Sequence, residues 1–388
     1  MDLNWDEVDE NKEKDMPDVE TIIKEASIAR FSLNPTAAKI KSLRLPSNRF
    51  GARNPLPLLL LKSDLLDLET CGIPCFRKDA DPKEIEQVVR ERCPNLKHLI
   101  CPCFRGEREQ DGAAVCAFIR GCSGLKSFTA ELFSDYDAES FDPTYFNDDY
   151  SDLDPRHIIA EVRSHRKTLE VLDLTDCVQV FSEDQQDILN VCHQLKRFWV
   201  TDSYGEGSMV GIESTDVSAS YWACSELREL GLVLNLYPKR EDKFDVLKDG
   251  TEEDEDWDDY DLEELVVKGT KQVYTQIGKM EKLEVLALDI DRSYENHMKI
   301  SDFAGNLTIC DGYLDELARL KKLKSLQLRA DFWSAMGQAE VEFMYKNWPL
   351  LSKITFNCKV SELRALPHWQ WLLSKRPQLR LEGPRLDW

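Results

Sequence analysis

One short pattern of apolar residues recurs along the chain and restricts its fold more than any other feature. It consists of an apolar residue, two variable residues, an apolar residue, one variable residue and a final apolar residue, as in Leu283-Glu-Val-Leu286-Ala-Leu288. The last two apolar positions alternate with a variable one, which is typical of a short strand with one buried face. The pattern predicts an array of small repeated units. Clear copies begin at Leu96, Leu125, Leu169, Leu195, Leu227, Leu283, Leu323 and Leu351.

Weaker copies and helical stretches complete the predicted repeats. The weaker copies are Leu43-Arg-Leu45, Leu66-Asp-Leu68 and Leu379-Arg-Leu381. A stretch with helical periodicity precedes each clear copy. Three of these stretches begin at a residue suited to capping a first turn, namely Asp81, Asp154 and Ser182. The predicted helices are 81–92, 111–121, 154–165, 182–191, 262–277, 311–320, 337–347 and 366–375.

A single unit of this kind cannot be stable alone. Burying three apolar side chains contributes about 5–9 kcal/mol, whereas ordering each residue of the unit costs about 1–2 kcal/mol. Stacking the units shares one core among them. The sequence therefore predicts an α/β solenoid of about ten repeats, with a parallel β-sheet on its concave face and helices on its convex face.

Cysteines at one repeated position carry a resemblance to a known family. Cys93, Cys122, Cys192 and Cys224 each stand three residues before the first leucine of a copy. A small apolar side chain suits the place where a helix ends against the next strand. The chain resembles leucine-rich repeat proteins of the cysteine-containing class, and in its irregular repeats it is similar to fungal F-box/leucine-rich-repeat substrate receptors. The resemblance implies a ribonuclease-inhibitor-like arc.

Charge is concentrated in three segments of the 388-residue chain, whose net charge is −22. Residues 1–20, 131–154 and 239–264 together hold a net −26, so the remaining 318 residues carry +4. We predict an acidic N-terminal segment at 1–39 and a solenoid at 40–388 with acidic insertions near 131–154 and 239–264. The acidic segments are interpreted either as solvated loops or as attractors of a basic partner, and their interleaved aromatic residues favour contact slightly.

The motifs of enzymes and cofactor sites are missing from the sequence. It contains no Gly-x-Ser-x-Gly, His-Glu-x-x-His or Gly-x-x-x-x-Gly-Lys pattern. Cys93, His98, Cys101 and Cys103 are close enough in sequence for zinc, but the repeat pattern places the first and third in the core and His98 on the other face of a strand. We therefore predict no catalytic residue, no cofactor and no metal. Nucleic acid is not expected either, since the net charge is negative and no basic stripe is visible.

The remaining candidate site is the outward row of the sheet. A concave face of ten strands, about 40–45 Å long, suits a protein partner better than a small molecule. Trp199 is interpreted either as an anchor for a partner or as an aromatic residue covered by a neighbouring insertion. The predicted protein-binding residues are His98, Ile100, Thr129, Asp173, Arg197, Trp199, Glu229, Asp289, Gln327, Arg329 and Thr355.

These observations favour a non-catalytic protein-interaction module. By resemblance it would be a substrate-recognition subunit of an SCF-type ubiquitin ligase, binding the ligase adaptor only if the protein has an F-box-like element, which is not legible in residues 1–40. The alternative is a regulatory or scaffold protein independent of ubiquitin, either a regulator of a small GTPase or an acidic binder of basic proteins. Twelve cysteines and an acidic N-terminus without a signal-peptide pattern predict a cytoplasmic or nuclear location, and no membrane partner is expected.

Overall fold

The computed structural model forms two compact units, residues 1–174 and 175–388. The predicted acidic segments 1–39 and 131–154 lie outside the described residues, as does most of 239–264, so the predicted domain boundaries stay a prediction. The described residues are 41–43, 66, 68–73, 76, 81–101, 112–130, 155–175, 180–201, 211–213, 217, 221–235, 259–290, 307–309, 312–328 and 335–383.

The first unit is a parallel sheet with helices in the connections between its strands. Its strands pair in chain order, and each pair is parallel. The helices pack on one another in series, α1 on α2 and α2 on α3. The elements are β1 (Ser42–Leu43), β2 (Thr70–Gly72), α1 (Pro82–Arg92), β3 (His98–Cys101), α2 (Gly112–Gly121), β4 (Ser127–Ala130), α3 (Pro155–Ser164) and β5 (Val171–Asp173).

The second unit repeats the arrangement with longer strands. Its sheet has the order β6-β8-β9-β10-β11-β12, with β7 paired to β8, and the described pairs are parallel. The elements are α4 (Ser182–Val191), β6 (Arg197–Trp199), β7 (Ile212–Glu213), β8 (Glu229–Asn235), α5 (Asp259–Gly278), β9 (Val285–Ile290), a 3-10 helix (Leu314–Arg319), β10 (Ser325–Leu328), α6 (Gln338–Asn347), β11 (Lys353–Phe356), α7 (Val360–Ala365), α8 (Pro367–Lys375) and β12 (Arg380–Glu382).

The strand register confirms the leucine-rich repeat fold. The middle apolar residue of each clear copy pairs with the middle residue of its neighbour, as Leu99 does with Phe128 and Leu286 does with Leu326. These residues are at most 1% exposed, so one core runs under the sheet of each unit. The pattern thus sets the register, because a slip by one residue would turn every buried leucine to the opposite face. The aligned core residues are Leu99, Phe128 and Leu172 in the first unit, and Phe198, Leu230, Leu286, Leu326 and Ile354 in the second.

One weak copy of the pattern was assigned to the wrong residues. The sequence places its middle apolar position at Leu66, but Leu66 is 52% exposed. Cys71 occupies the middle position instead, since it pairs with Leu99 and is fully buried. The repeat therefore reads Leu68-Glu-Thr-Cys71-Gly-Ile73, in which a cysteine takes the place of the leucine.

The turn from helix to strand confirms the predicted role of the cysteines. In the repeat of Cys93 the backbone N–H of Leu96 donates to the cysteine carbonyl, 3.0 Å away, and Leu195 donates in the same way to Cys192. All four cysteines at this position are at most 2% exposed. The later repeats use larger side chains at the same position, namely Met280, Leu320, Trp348 and Arg376.

Predicted helix starts are correct in part. Asp81 caps α1 by accepting a hydrogen bond from Lys83 N at 2.9 Å. Ser182 does not cap α4 but is its first residue, and its hydroxyl accepts from the backbone N–H of Glu213 at 3.0 Å. The start predicted at Asp154 lies outside the described residues. The helix predicted at 311–320 is a 3-10 helix, while α7 and β7 were not predicted.

Candidate functional site

The candidate site consists of side chains that alternate with the buried core residues along each strand. We call this side of each sheet its open face. In the first unit Ile100, Thr129 and Asp173 occupy one row of the register, and His98 begins the row beside it. All four are half-buried, and so are the neighbouring Ser127 and Val171. The structure therefore brings four predicted residues together into one partly accessible patch of mixed chemistry.

The open face of the second unit carries more internal contacts. Arg197 Nη1 lies 2.6 Å from Glu229 Oε2, joining the first residues of β6 and β8. Asp289 and Gln327 are half-buried on β9 and β10. Thr355 is half-buried as well, and its hydroxyl oxygen is shielded from solvent with no hydrogen-bond partner. Arg329, the remaining predicted residue, lies outside the described part of the chain.

The side chain of Trp199 is covered by neighbouring groups rather than exposed to solvent. Its side chain is 9% exposed, and the guanidinium carbon of Arg197 lies 4.9 Å from the centre of its ring. The ring lies against the backbone of Gly231 on the neighbouring strand, where a Cβ would be 2.7 Å from Trp199 Cδ2. Of the two interpretations of Trp199, this geometry favours the covered aromatic residue.

Gly231 is the residue that sequence reasoning missed. It stands between the last two apolar positions of its copy, and it pairs directly with Trp199 in the register. A glycine inside a strand often marks a close approach of another group. A glycine one repeat after a tryptophan, at the same position of the pattern, was a signal that could have located this contact.

The cysteines and His98 do not form a common site. Cys93 and Cys101 are buried, whereas His98 is half-buried on the open face, and Cys103 lies outside the described residues. Burial raises the pKa of Cys93 to about 11 and that of Cys122 to about 12. The thiols of both residues are therefore protonated at neutral pH and pack as small apolar groups.

Comparisons with known proteins add little to the geometry. No family model matches the chain, and no curated protein does. Among solved structures the chain is similar to the leucine-rich repeat-containing protein LegL7 from Legionella pneumophila, with a TM-score of 0.35 and 12% identity over 87% of this chain and 100% of the other. The fold assignment therefore depends on the register and burial described above. No helix in the described residues is long and apolar enough to cross a bilayer.

Proposed function

We propose that the protein is a non-catalytic binding module that holds a protein partner on the open face of its first unit. The observation that carries the proposal is the patch of half-buried side chains around Ile100 and Thr129, which combines apolar, hydroxyl, imidazole and carboxylate groups on neighbouring strands. Such a surface offers contact area and several hydrogen-bonding groups without a deep pocket. It suits a protein surface better than a small ligand, which needs a deep pocket that buries most of its surface.

The partner's chemistry follows from charge. The three acidic segments hold a net −26, and a basic partner would be attracted to them before it docks. Such steering weakens as salt rises, because charges more than about 10 Å apart are screened at 0.1 M. Binding that persists unchanged from low to high salt would remove the acidic segments from the contact.

A more specific role rests on resemblance alone. The chain would be a substrate-recognition subunit of an SCF-type ubiquitin ligase in the cytoplasm or nucleus, provided that it has an F-box-like element. The alternative is a scaffold or regulator independent of ubiquitin, either of a small GTPase or as an acidic binder of basic proteins. Co-purification of the ligase adaptor separates the two: its absence, with other partners retained, eliminates the ligase role and leaves the binding role intact.

A pair of matched variants tests the open face itself. Ile100→Arg with Thr129→Arg places two long cations in the patch, whereas Ala113→Arg with Ala160→Arg adds the same charge at exposed positions of α2 and α3. Affinity purification with quantitative mass spectrometry should show at least a tenfold loss of a specific partner for the first variant only. Equal recovery by both variants would place the binding surface elsewhere.

A further inference from the structure

Three consecutive helix-to-strand turns of the second unit carry basic residues and no acidic ones. The turns are residues 319–325, 346–353 and 375–380, and they contain no Asp or Glu. The linear sequence hides this feature, because the charges are spread over three repeats. We call it the C-terminal basic edge, defined by the exposed residues Arg319, Lys321, Lys322, Lys324, Lys346, Lys375 and Arg380.

Backbone hydrogen bonds hold the three turns side by side. Ser352 N donates to Lys324 O at 2.9 Å, and Arg380 N donates to Ser352 O at the same distance. A side-chain contact links the first turn to the end of α6, where Lys321 Nζ donates to Asn347 Oδ1 at 3.2 Å. The basic side chains therefore share one edge of the sheet, where its strands begin.

Most of this charge is not neutralised by the protein. Lys324 Nζ lies 2.6 Å from Glu284 Oε2. Within the described part of the chain, however, Arg319, Lys346, Lys375 and Arg380 form no ion pair. Like charges without partners repel one another and raise the free energy of the folded chain. A binding function would explain why the cluster is present.

The helix macrodipole explains only part of the cluster. Cations in the last turn of a helix are favourable, which accounts for Arg319, Lys346 and Lys375 at the ends of the 3-10 helix, α6 and α8. Lys322 and Arg380 lie beyond those last turns, where the effect fades. Lys322 is attracted to Glu284, which already pairs with Lys324, and one carboxylate cannot neutralise both cations. The charges of Lys322 and Arg380 therefore add to the edge.

Apolar side chains stand beside the cations. Leu350, in the middle turn, is 51% exposed, and Tyr345 at the end of α6 is 43% exposed. The ring of Tyr345 is held edge-on against Trp371 on α8, with ring centres 5.6 Å apart. Exposed apolar groups within a basic cluster offer contact to a ligand that carries both negative charge and apolar side chains.

We propose that the C-terminal basic edge binds an acidic peptide segment with interspersed leucine or aromatic residues. Its width favours a peptide over nucleic acid, because three adjacent strands span only about 10 Å. The chain's net charge of −22 also opposes a long uniform polyanion. This surface is separate from the open face of the first unit, so the proposal goes beyond the function proposed above and does not depend on it.

The test uses the full chain and three fluorescent probes of equal negative charge at low salt. The probes are an acidic peptide with interspersed Leu and Phe, a glutamate-only peptide and a single-stranded DNA oligonucleotide. Lys322→Glu/Lys346→Glu/Lys375→Glu reverses three charges of the edge, while Lys83→Glu/Lys167→Glu/Lys268→Glu makes the same change at exposed positions elsewhere. We expect the first variant to bind the mixed peptide at least tenfold more weakly than wild type, and the second to bind it normally.

A further variant examines the apolar part of the site. Leu350→Ser should weaken binding of the mixed peptide and leave the glutamate-only peptide unaffected. The proposal is overturned if wild type does not bind the mixed peptide, if both triple variants lose binding equally, or if the oligonucleotide binds the same residues as tightly as the peptide does. Ile100→Arg/Thr129→Arg should leave this affinity unchanged, which keeps the result distinct from a failure of the open-face proposal.

Discussion

The two units share the same repeat but differ in the side chains at its variable positions. On the open face of the first unit, Ile100 and Thr129 stay half-buried, whereas the matching row of the second unit contains the covered Trp199, with Gly231 beneath its ring. The leucines that set the register are equally buried in both units. The comparison shows that the core positions determine the fold, while the residues between them determine whether a surface remains available to a partner.

The turns that end the helices differ in a similar way. In the first unit buried thiols fill the position, as Cys93 and Cys122 do. In the last repeat of the second unit the position belongs to Arg376, whose Nη1 donates to Trp348 O at 2.6 Å and whose Nη2 donates to Tyr345 O. The guanidinium supplies donors to carbonyls at the end of α6, of which Trp348 O also accepts from the backbone N–H of Leu351 at 3.2 Å. One position of the repeat thus holds a buried thiol in earlier repeats, including those of Cys192 and Cys224 in the second unit, and a hydrogen-bonded guanidinium in the last repeat.

The largest expected effect concerns the thiols of the first unit. A pKa of about 12 for Cys122, instead of 9.0, lowers the thiolate fraction at pH 8 about a thousandfold. Iodoacetamide should therefore label Cys122 and Cys93 at least about a hundredfold more slowly than the half-buried Cys358 of the second unit. Site-resolved mass spectrometry of the native protein measures these rates, and unfolding in urea should make them equal. If Cys122 were labelled as fast as Cys358 in the native protein, the Cys122 thiol would not be shielded from solvent in its turn.

Removing the guanidinium from the second unit should have the next largest effect. Arg376→Met removes the hydrogen bonds that the guanidinium donates to Trp348 O and Tyr345 O. Tyr345 O loses this donor, whereas Trp348 O keeps the backbone N–H of Leu351. The free energy of unfolding should fall by about 3 kcal/mol, because each bond involves a charged donor. Cys122→Ala, the matching change in the first unit, removes packing and the weak hydrogen bond from the thiol to Phe118 O at 3.6 Å, and it should cost about 1–2 kcal/mol. Urea unfolding gives both values.

The adjacent and exposed Lys375→Met serves as the control, with an expected change within about 0.5 kcal/mol. If Arg376→Met were no more destabilising than this control, the guanidinium would not be what closes the turn.

A smaller effect is expected where the second unit covers its open face. Gly231→Ala would place a Cβ 2.7–2.8 Å from ring atoms of Trp199, so the ring must move, at a cost of about 2 kcal/mol. Gly124→Ala, in the first unit, should be nearly neutral because no atom lies within 4 Å of its new Cβ. Urea unfolding measures the change in both variants. In a Trp199→Ala background, Gly231→Ala should cost clearly less, since of the three nearest atoms only Thr201 Cγ2, at 3.0 Å, still lies close to the new Cβ, and an unchanged penalty there would disprove the contact with the ring.

How far the sequence predicts this molecule depends on how local each interaction is. The buried leucines, seven of the helices and the cysteine position follow from periods of two and 3.6 residues within one repeat, and the structure confirms them. The register at Cys71 does not follow from these periods. A cysteine fills the middle apolar position there and is as deeply buried as the leucines of the other copies. The contact between Trp199 and Gly231 and the C-terminal basic edge each involve residues from different repeats. A period within one repeat does not show which side chains of different repeats become neighbours.

The smallest effect should be the pH dependence contributed by His165 in the first unit. Burial lowers its pKa below the usual 6.5, and its Nε2 lies 3.1 Å from Ile119 O. As the pH falls through 6.5, the unfolded chain binds this proton before the folded one does, so the free energy of unfolding decreases until the lower folded pKa is reached. His165→Gln can keep a donor to the carbonyl without titrating. Between pH 7 and 5 it should lose less stability than wild type.

The exposed His157, on the same helix α3, supplies the control for this measurement. His157→Gln should leave the pH dependence of unfolding as it is in wild type, because the side chain of His157 is exposed in the folded chain. If His165→Gln and His157→Gln gave the same slope of stability against pH, the burial of His165 would not contribute to acid sensitivity. The contrast between the units would then rest on their turns and open faces alone.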